Sequence, residues 1–230
     1  MKKLLLASTS TLFGANYLDY LLDDLAVFFK DIKTITFIPF ARPGGIPHDT
    51  YTKIAATAFA KIDKEVVGLH SFSNKEEGIA NAEAFFCGGG NTFLLVEQLY
   101  SFSILEVLKA KIESGTPYMG TSAGSNIAGI SMQTTNDMPI VYPPSFKTMQ
   151  LVPFNINAHY LDPIPNSTHN GETRETRIKE FHCFNNTPVV GLREGSYLLV
   201  TNSQIRLMGT HTARIFKANQ RAYETSEIEF

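Results

Sequence analysis

Gly120-Thr121-Ser122-Ala123-Gly124 decides how this chain is read. It follows the short apolar run Thr116-Pro117-Tyr118-Met119 and precedes Ser125-Asn126-Ile127-Ala128-Gly129-Ile130, a helix-like run. Strand, tight turn and helix with a serine at the apex form the G-x-S-x-G nucleophile elbow. The reason is steric. A sharp strand-to-helix turn strains the backbone at the serine, and the flanking glycines let neighbouring segments approach closely. The hydroxyl then projects from the carboxyl edge of a sheet. The N–H of Ala123 points at whatever that hydroxyl attacks, from the positive end of a helix. The competing reading is a small-residue turn that packs a helix on a strand.

Upstream, the chain alternates strands and helices. Lys3 to Ser8 reads as a strand, although Met1 to Ala7 briefly imitates an export signal. Its apolar run is four residues, shorter than such a signal needs. Ser10-Thr11 is expected to cap a helix through about Phe29, with Leu18, Leu21, Leu22, Leu25 and Phe29 at helical spacing. Strands follow at Thr34–Pro39, Glu65–Leu69 and Ala84–Cys87, and helices at Asp49–Ile62, Asn74–Asn81, Thr92–Tyr100 and Ile104–Glu113. This order predicts an α/β fold, a mainly parallel sheet with helices on both faces. Sites in such sheets lie beyond the carboxyl ends of the strands, where Ser122 and Gly88-Gly89-Gly90-Asn91-Thr92 both fall.

The second half is less regular. Pro139–Pro153 reads as loop and short strands, Asn155–Tyr160 as a short strand and Gly171–Phe184 as a charged helix. Pro188–Leu192, Tyr197–Val200, Ile205–Met208 and Ala213–Phe216 are spaced like C-terminal antiparallel hairpins. With no repeat or linker, residues 1–230 read as one domain.

Net charge is −2 with mixed signs, which gives no electrostatic case for nucleic acid or an anionic membrane. No apolar run reaches the length of a membrane span. Cys87 and Cys183 lack metal-ligand spacing and read as reduced, buried thiols of a cytoplasmic protein, with no metal or cofactor required.

The glycine run can bring backbone N–H groups close to a developing oxyanion. A phosphate cradle is the alternative, but the run lacks a P-loop ending and dinucleotide spacing. Ser122 needs a base held by a third group. Among His48, His70, His159, His169, His182 and His211, spacing leaves His159 and His169 open as that base. Asp137, Asp162 and Glu194 are open as the acid, Glu194 directly following an apolar strand.

Several blocks in order resemble peptidase E, the aspartyl dipeptidase family of serine peptidases. They are Phe37-Ile38-Pro39-Phe40, Gly88-Gly89-Gly90-Asn91-Thr92-Phe93, Ser122-Ala123-Gly124, Thr134-Thr135-Asn136-Asp137-Met138-Pro139-Ile140-Val141 and Gly171-Glu172-Thr173-Arg174-Glu175. The resemblance implies a flavodoxin-like fold akin to class I glutamine amidotransferases. It implies cleavage of small peptides with an N-terminal aspartate, Ser122 as nucleophile, His159 as base and Glu194 as orienting acid, with Asp137 the second choice. It also implies oxyanion donors at Gly90 and Ala123. Arg174 is expected to take the substrate's β-carboxylate and Asn91 or Asp137 its amino group, in a monomer or homodimer. Thr121, Ala158 and Arg193 depart from the family pattern beside the reacting residues, and Arg193 is expected to bear on Glu194. Other readings are a cyanophycinase-like β-aspartyl peptidase, an esterase of α/β-hydrolase type and a non-catalytic small-molecule binding module.

Overall fold

A computed structural model describes every residue except Gly45, Ser167, His169, Glu229 and Phe230. Strands β1 (Lys3–Ala7), β2 (Thr34–Ile38), β3 (Glu65–Gly68), β4 (Phe85–Cys87) and β5 (Tyr118–Thr121) form the parallel part of a seven-stranded sheet. Between them run α1 (Leu22–Phe28), α2 (His48–Ala60), α3 (Lys75–Ala80), α4 (Thr92–Ser101) and α5 (Leu105–Glu113). After β5 come α6 (Ala123–Asn126), β6 (Asn155–Ala158), α7 (Arg174–Phe181) and β7 (Val189–Leu192). The chain closes with β8 (Ser196–Thr201), β9 (Gln204–Gly209), β10 (Ala213–Phe216) and β11 (Tyr223–Thr225).

The large sheet has the order β3-β2-β4-β5-β1-β8-β9, and its last two strands are antiparallel to their neighbours. Alternation along each strand divides its side chains between two cores. Leu4 and Leu6 of β1 join Phe85, Leu95, Leu108 and Ile112 on one face. Leu5 and Ala7 join Phe37, Phe86, Ala55 and Phe59 on the other. Helices therefore cover both faces, as the strand–helix alternation predicts. No helix among the described residues is long and apolar enough to cross a membrane.

The C-terminal strands differ from a row of hairpins. Strands β8 and β9 form a hairpin, but β7 pairs in parallel with β6 and antiparallel with β10, in a second sheet ordered β11-β10-β7-β6. Ile156, Ala158, Val190 and Leu192 of this sheet pack into the core that holds Leu4 and Leu6.

Other differences are local. Helix α1 starts later than its spacing suggests, because Gly14 and Leu18 adopt positive φ and a 3-10 turn spans Asp19–Leu21. Leu18, Leu21 and Leu25 are nonetheless buried, so the apolar pattern marked the core without requiring a continuous helix. The Pro139–Pro153 stretch contains no strand, only an isolated bridge from Lys147 to Ser131. Cys87 is buried and its thiol is pushed up to about 12 by that burial, whereas Cys183 is exposed, contrary to the expectation of two buried thiols.

The second sheet carries an ionic lattice. Arg193 pairs with Asp162 and Glu224, and Arg214 with Glu224 and Glu175, the last of these on α7. Arg193 first, and then Thr212 and Arg214, hold the Glu224 carboxyl at about 2. Its folded value lies below its unfolded one, so the stabilisation is complete above the unfolded glutamate value and disappears as pH falls through the folded value. Urea denaturation of Glu224→Gln is expected to show lower stability near pH 7 and a flatter acid limb between roughly pH 4.5 and 2. Equal acid sensitivity in both proteins would contradict this coupling.

Candidate active site

Ser122 has φ 52° and ψ −113°, a conformation that β-strands and helices do not supply. Its N–H donates to Ala7 O at 3.1 Å, which stitches the apex to β1. Its carbonyl accepts from Ser125 and Asn126, at 2.9 Å each. Two glycines permit the turn. A Cβ at Gly120 would lie 2.4 Å from the Gly124 carbonyl oxygen, and one at Gly124 would lie 2.2 Å from that of Cys87. The helix after the apex is a single short turn, Ala123–Asn126, rather than a run to Ile130. The Ile130 N–H turns instead to Phe154 O, just before β6.

Parallel pairing of β6 with β7 sets Ala158 beside Leu192, so the residues that follow leave the sheet at one edge. His159 there has φ 54°, and its ring reaches back over the elbow. His159 Nε2 lies 2.8 Å from Ser122 Oγ, and Nδ1 lies 2.5 Å from Glu194 Oε1. The three side chains form one hydrogen-bonded line. Ser8 braces it from beneath: its hydroxyl accepts the His159 N–H at 2.9 Å and donates to Leu192 O at 2.7 Å.

The Ala123 and Gly90 N–H groups have no acceptor among the described residues. Gly89 packs on the elbow, since a Cβ there would lie 3.0 Å from Ser122 Cβ. Asp137 makes no hydrogen bond with His159, whose Nδ1 meets Glu194 instead. Its Oδ2 accepts from the Thr92 N–H and hydroxyl and from the Thr135 hydroxyl, at the start of α4. Its Oδ1 takes no donor among the described residues. Asn91 caps α4 by accepting the Leu94 N–H at 3.0 Å, and its amide donates to Met138 O at 2.8 Å. Both ends of its amide are thus engaged in shaping the glycine loop.

Arg174 opens α7, half-buried. The neighbouring acids are engaged elsewhere: Glu172 pairs with Arg177, and Glu175 with Lys179 and Arg214. Arg174 itself has no ion pair among the described residues. Burial and the nearby Arg177 charge lower its pKa, and the Asp137 carboxylate opposes them. A cation with no ion pair among the described residues is therefore coupled electrostatically to a carboxylate with one oxygen that takes no donor there.

The chain as a whole is similar to known proteins. The pattern of peptidase family S51 matches residues 4–208. The chain belongs to peptidase family S51. It is 43% identical over 230 residues to the "Probable alpha-aspartyl dipeptidase" of Drosophila melanogaster, covering 99% of this chain and 95% of that protein. It is 47% identical over 214 residues to the "Peptidase E" of Streptomyces coelicolor, covering 93% and 87%. In fold it is similar to the crystal structure of a peptidase from an acI-B1 Actinobacterium, with TM-score 0.70 and 15% identity over 100% and 96% of the two chains.

The departures in this S51 chain can now be placed. Thr121 is buried, and its hydroxyl has no partner among the described residues. Arg193 makes no hydrogen bond with Glu194: its guanidinium turns to Asp162, Glu224 and Thr212 O. Of the other histidines, His70 pairs with Asp49 at 2.8 Å, His182 faces Thr187 O at 3.0 Å, and His169 lies outside the described residues. No group of three or more metal-binding side chains occurs among the described residues.

Two supporting residues escape a reading by motif. One is Ser8, whose only signal is its place at the carboxyl end of β1. The other is Asn126, buried beneath the site. Its amide donates to the hydroxyls of Thr92 and Thr135 and accepts the Ala158 N–H, tying α4, α6 and β6 together. Ser8→Ala leaves the His159 N–H without its acceptor. Denaturant melts should show a loss of about 1–3 kcal/mol, the cost of an unpaired buried donor. Unchanged stability would mean that the bridge contributes nothing.

Proposed function

We propose that this chain is a serine dipeptidase that hydrolyses small peptides with an N-terminal aspartate, as one catalytic domain spanning residues 1–230 in the cytoplasm. The observation that carries the proposal is the continuous Ser122–His159–Glu194 line, with the free Ala123 N–H at its start.

Ser122 Oγ attacks the aspartyl carbonyl carbon while His159 Nε2 takes its proton. Glu194 holds the ring through Nδ1 and stabilises the imidazolium that forms. The Gly90 and Ala123 N–H groups receive the oxyanion, and losing one such donor costs about 10²–10³ in kcat. The C–N bond then breaks and His159 protonates the departing amine. Water, deprotonated by His159, releases aspartate from Ser122. The reaction needs no acid between serine and histidine in the sequence, because the carboxylate within reach of His159 is Glu194, which follows it. That order separates this chain from an α/β-hydrolase esterase.

Specificity follows from charge. Arg174 is a half-buried guanidinium free to take a carboxylate in bidentate fashion. Asp137 Oδ1 is free to accept from the substrate's α-ammonium. The two charges of an N-terminal aspartate thus meet their opposites.

Ser122→Ala and His159→Ala should each lower kcat on Asp-Leu by about 10⁴-fold or more, because triad members act as a unit. Wild-type rates in either variant would contradict the assignment. Arg174→Ala should reduce kcat/KM for Asp-Leu about 10- to 100-fold, in keeping with loss of a charged hydrogen bond, and leave Ala-Leu unaffected. If the preference for aspartate over alanine survives, Arg174 is not the selector.

A further inference from the structure

We propose that Tyr51 sets the oxyanion-binding peptide: its hydroxyl holds the Gly89–Gly90 peptide group in the orientation that presents the Gly90 N–H to the substrate. The inference rests on the reaction proposed above and adds to it a positioning residue on α2, which contributes none of the reacting side chains.

Tyr51 is 1% exposed. Its hydroxyl donates to Gly89 O at 3.0 Å and accepts from the Tyr17 hydroxyl at 3.3 Å. Burial raises the pKa of both phenols, so Tyr51 stays a protonated donor. The chain has no cis peptide bond among the described residues. In a planar trans peptide the C=O and N–H point in opposite directions. Fixing the Gly89 carbonyl inward on Tyr51 therefore turns the Gly90 N–H outward, away from the core. That N–H has no acceptor among the described residues.

The glycine run makes sense in these terms, residue by residue. A Cβ at Gly88 would lie 2.3 Å from the Tyr51 hydroxyl oxygen and would displace it. A Cβ at Gly89 would press on Ser122 at 3.0 Å. Gly90 has φ +146°, and a Cβ there would lie 2.2 Å from Ala41 O. The first glycine admits the tyrosine, the second admits the serine, and the third lets the chain turn beneath Ala41. The same Ala41 carbonyl accepts the Asn91 N–H at 2.7 Å, which anchors the far end of the loop.

The tyrosine ring has little freedom to take its hydroxyl elsewhere. The Phe37 ring meets it edge-on at 4.9 Å between centroids, and the Arg42 guanidinium lies 4.9 Å from its centroid. Removing the hydroxyl would leave the ring in place and free the peptide to rotate. The N–H would then have to be reoriented during the reaction instead of being set beforehand, which weakens stabilisation of the transition state more than binding of the ground state.

The test is Tyr51→Phe, assayed on Asp-Leu and against aspartyl aldehyde, which adds to a serine hydroxyl to give a tetrahedral oxyanion. Free aspartate, which carries the charged groups without that oxyanion, serves as the comparison ligand. The expected result is a fall in kcat of about 10-fold, with a matching loss of aldehyde affinity and with KM and aspartate inhibition within about twofold of wild type. Should Tyr51→Phe fail to fold, Gly88→Ala, which drives the hydroxyl off Gly89, is expected to give the same pattern. A kcat and aldehyde affinity within about twofold of wild type, or parallel losses in KM and aspartate binding, would overturn the assignment. A wild-type protein that neither cleaves Asp-Leu nor binds the aldehyde would instead defeat the underlying reaction.

Discussion

Ser122 is held in a backbone conformation that costs on the order of 1–3 kcal/mol, and the surrounding structure keeps it there. Its N–H is tied to β1, its carbonyl to α6, and the glycines on either side press against bare backbone. The strain aims the hydroxyl at His159 and leaves the Ala123 N–H open. A relaxed turn would bury the hydroxyl or point it along the strand. Close approach at Gly120 and Gly124 is therefore the constraint from which the rest of the site follows.

The parallel sheet alone supplies a serine and a glycine loop, but neither the histidine nor the glutamate beside them. Those come from the second sheet, where β6 and β7 run in parallel and deliver His159 and Glu194 to the same edge. Ser8 and Asn126 join the two sheets at this edge, one by bridging His159 to β7, the other by linking α4, α6 and β6. Both are small polar side chains with their hydrogen bonds satisfied, which is how buried polar groups rigidify a structure rather than weaken it. The charged lattice around Arg193 and Arg214 lies further out and ties α7, which carries Arg174, to β10 and β11.

Much of this was legible in the sequence. The parallel sheet followed from alternating apolar strands and amphipathic helices, because burial on both faces dictates composition. The elbow was legible because glycine is demanded where backbones touch. Spacing alone did not choose between His159 and His169, or between Glu194 and Asp137, because the β6/β7 pairing that brings His159 and Glu194 together joins segments about thirty residues apart. Resemblance to a family pointed instead to the two residues that the structure sets in line with Ser122. The partners of Arg193 were not legible either, because Asp162 and Glu224 lie about thirty residues away in the chain on either side. Ser8 and Asn126 carry no motif, since their roles exist only once the two sheets have met.

We propose Ser122 as the nucleophile, activated through His159. The most direct measurement is covalent labelling by a fluorophosphonate, with the modified residue located by peptide mass spectrometry and residual Asp-Leu hydrolysis followed in the same samples. A nucleophilic Ser122 should give a single adduct at that residue, activity lost in proportion to labelling, and labelling that slows sharply in His159→Ala. Full hydrolysis by fully labelled protein, or inactivation that maps to another residue, would contradict it.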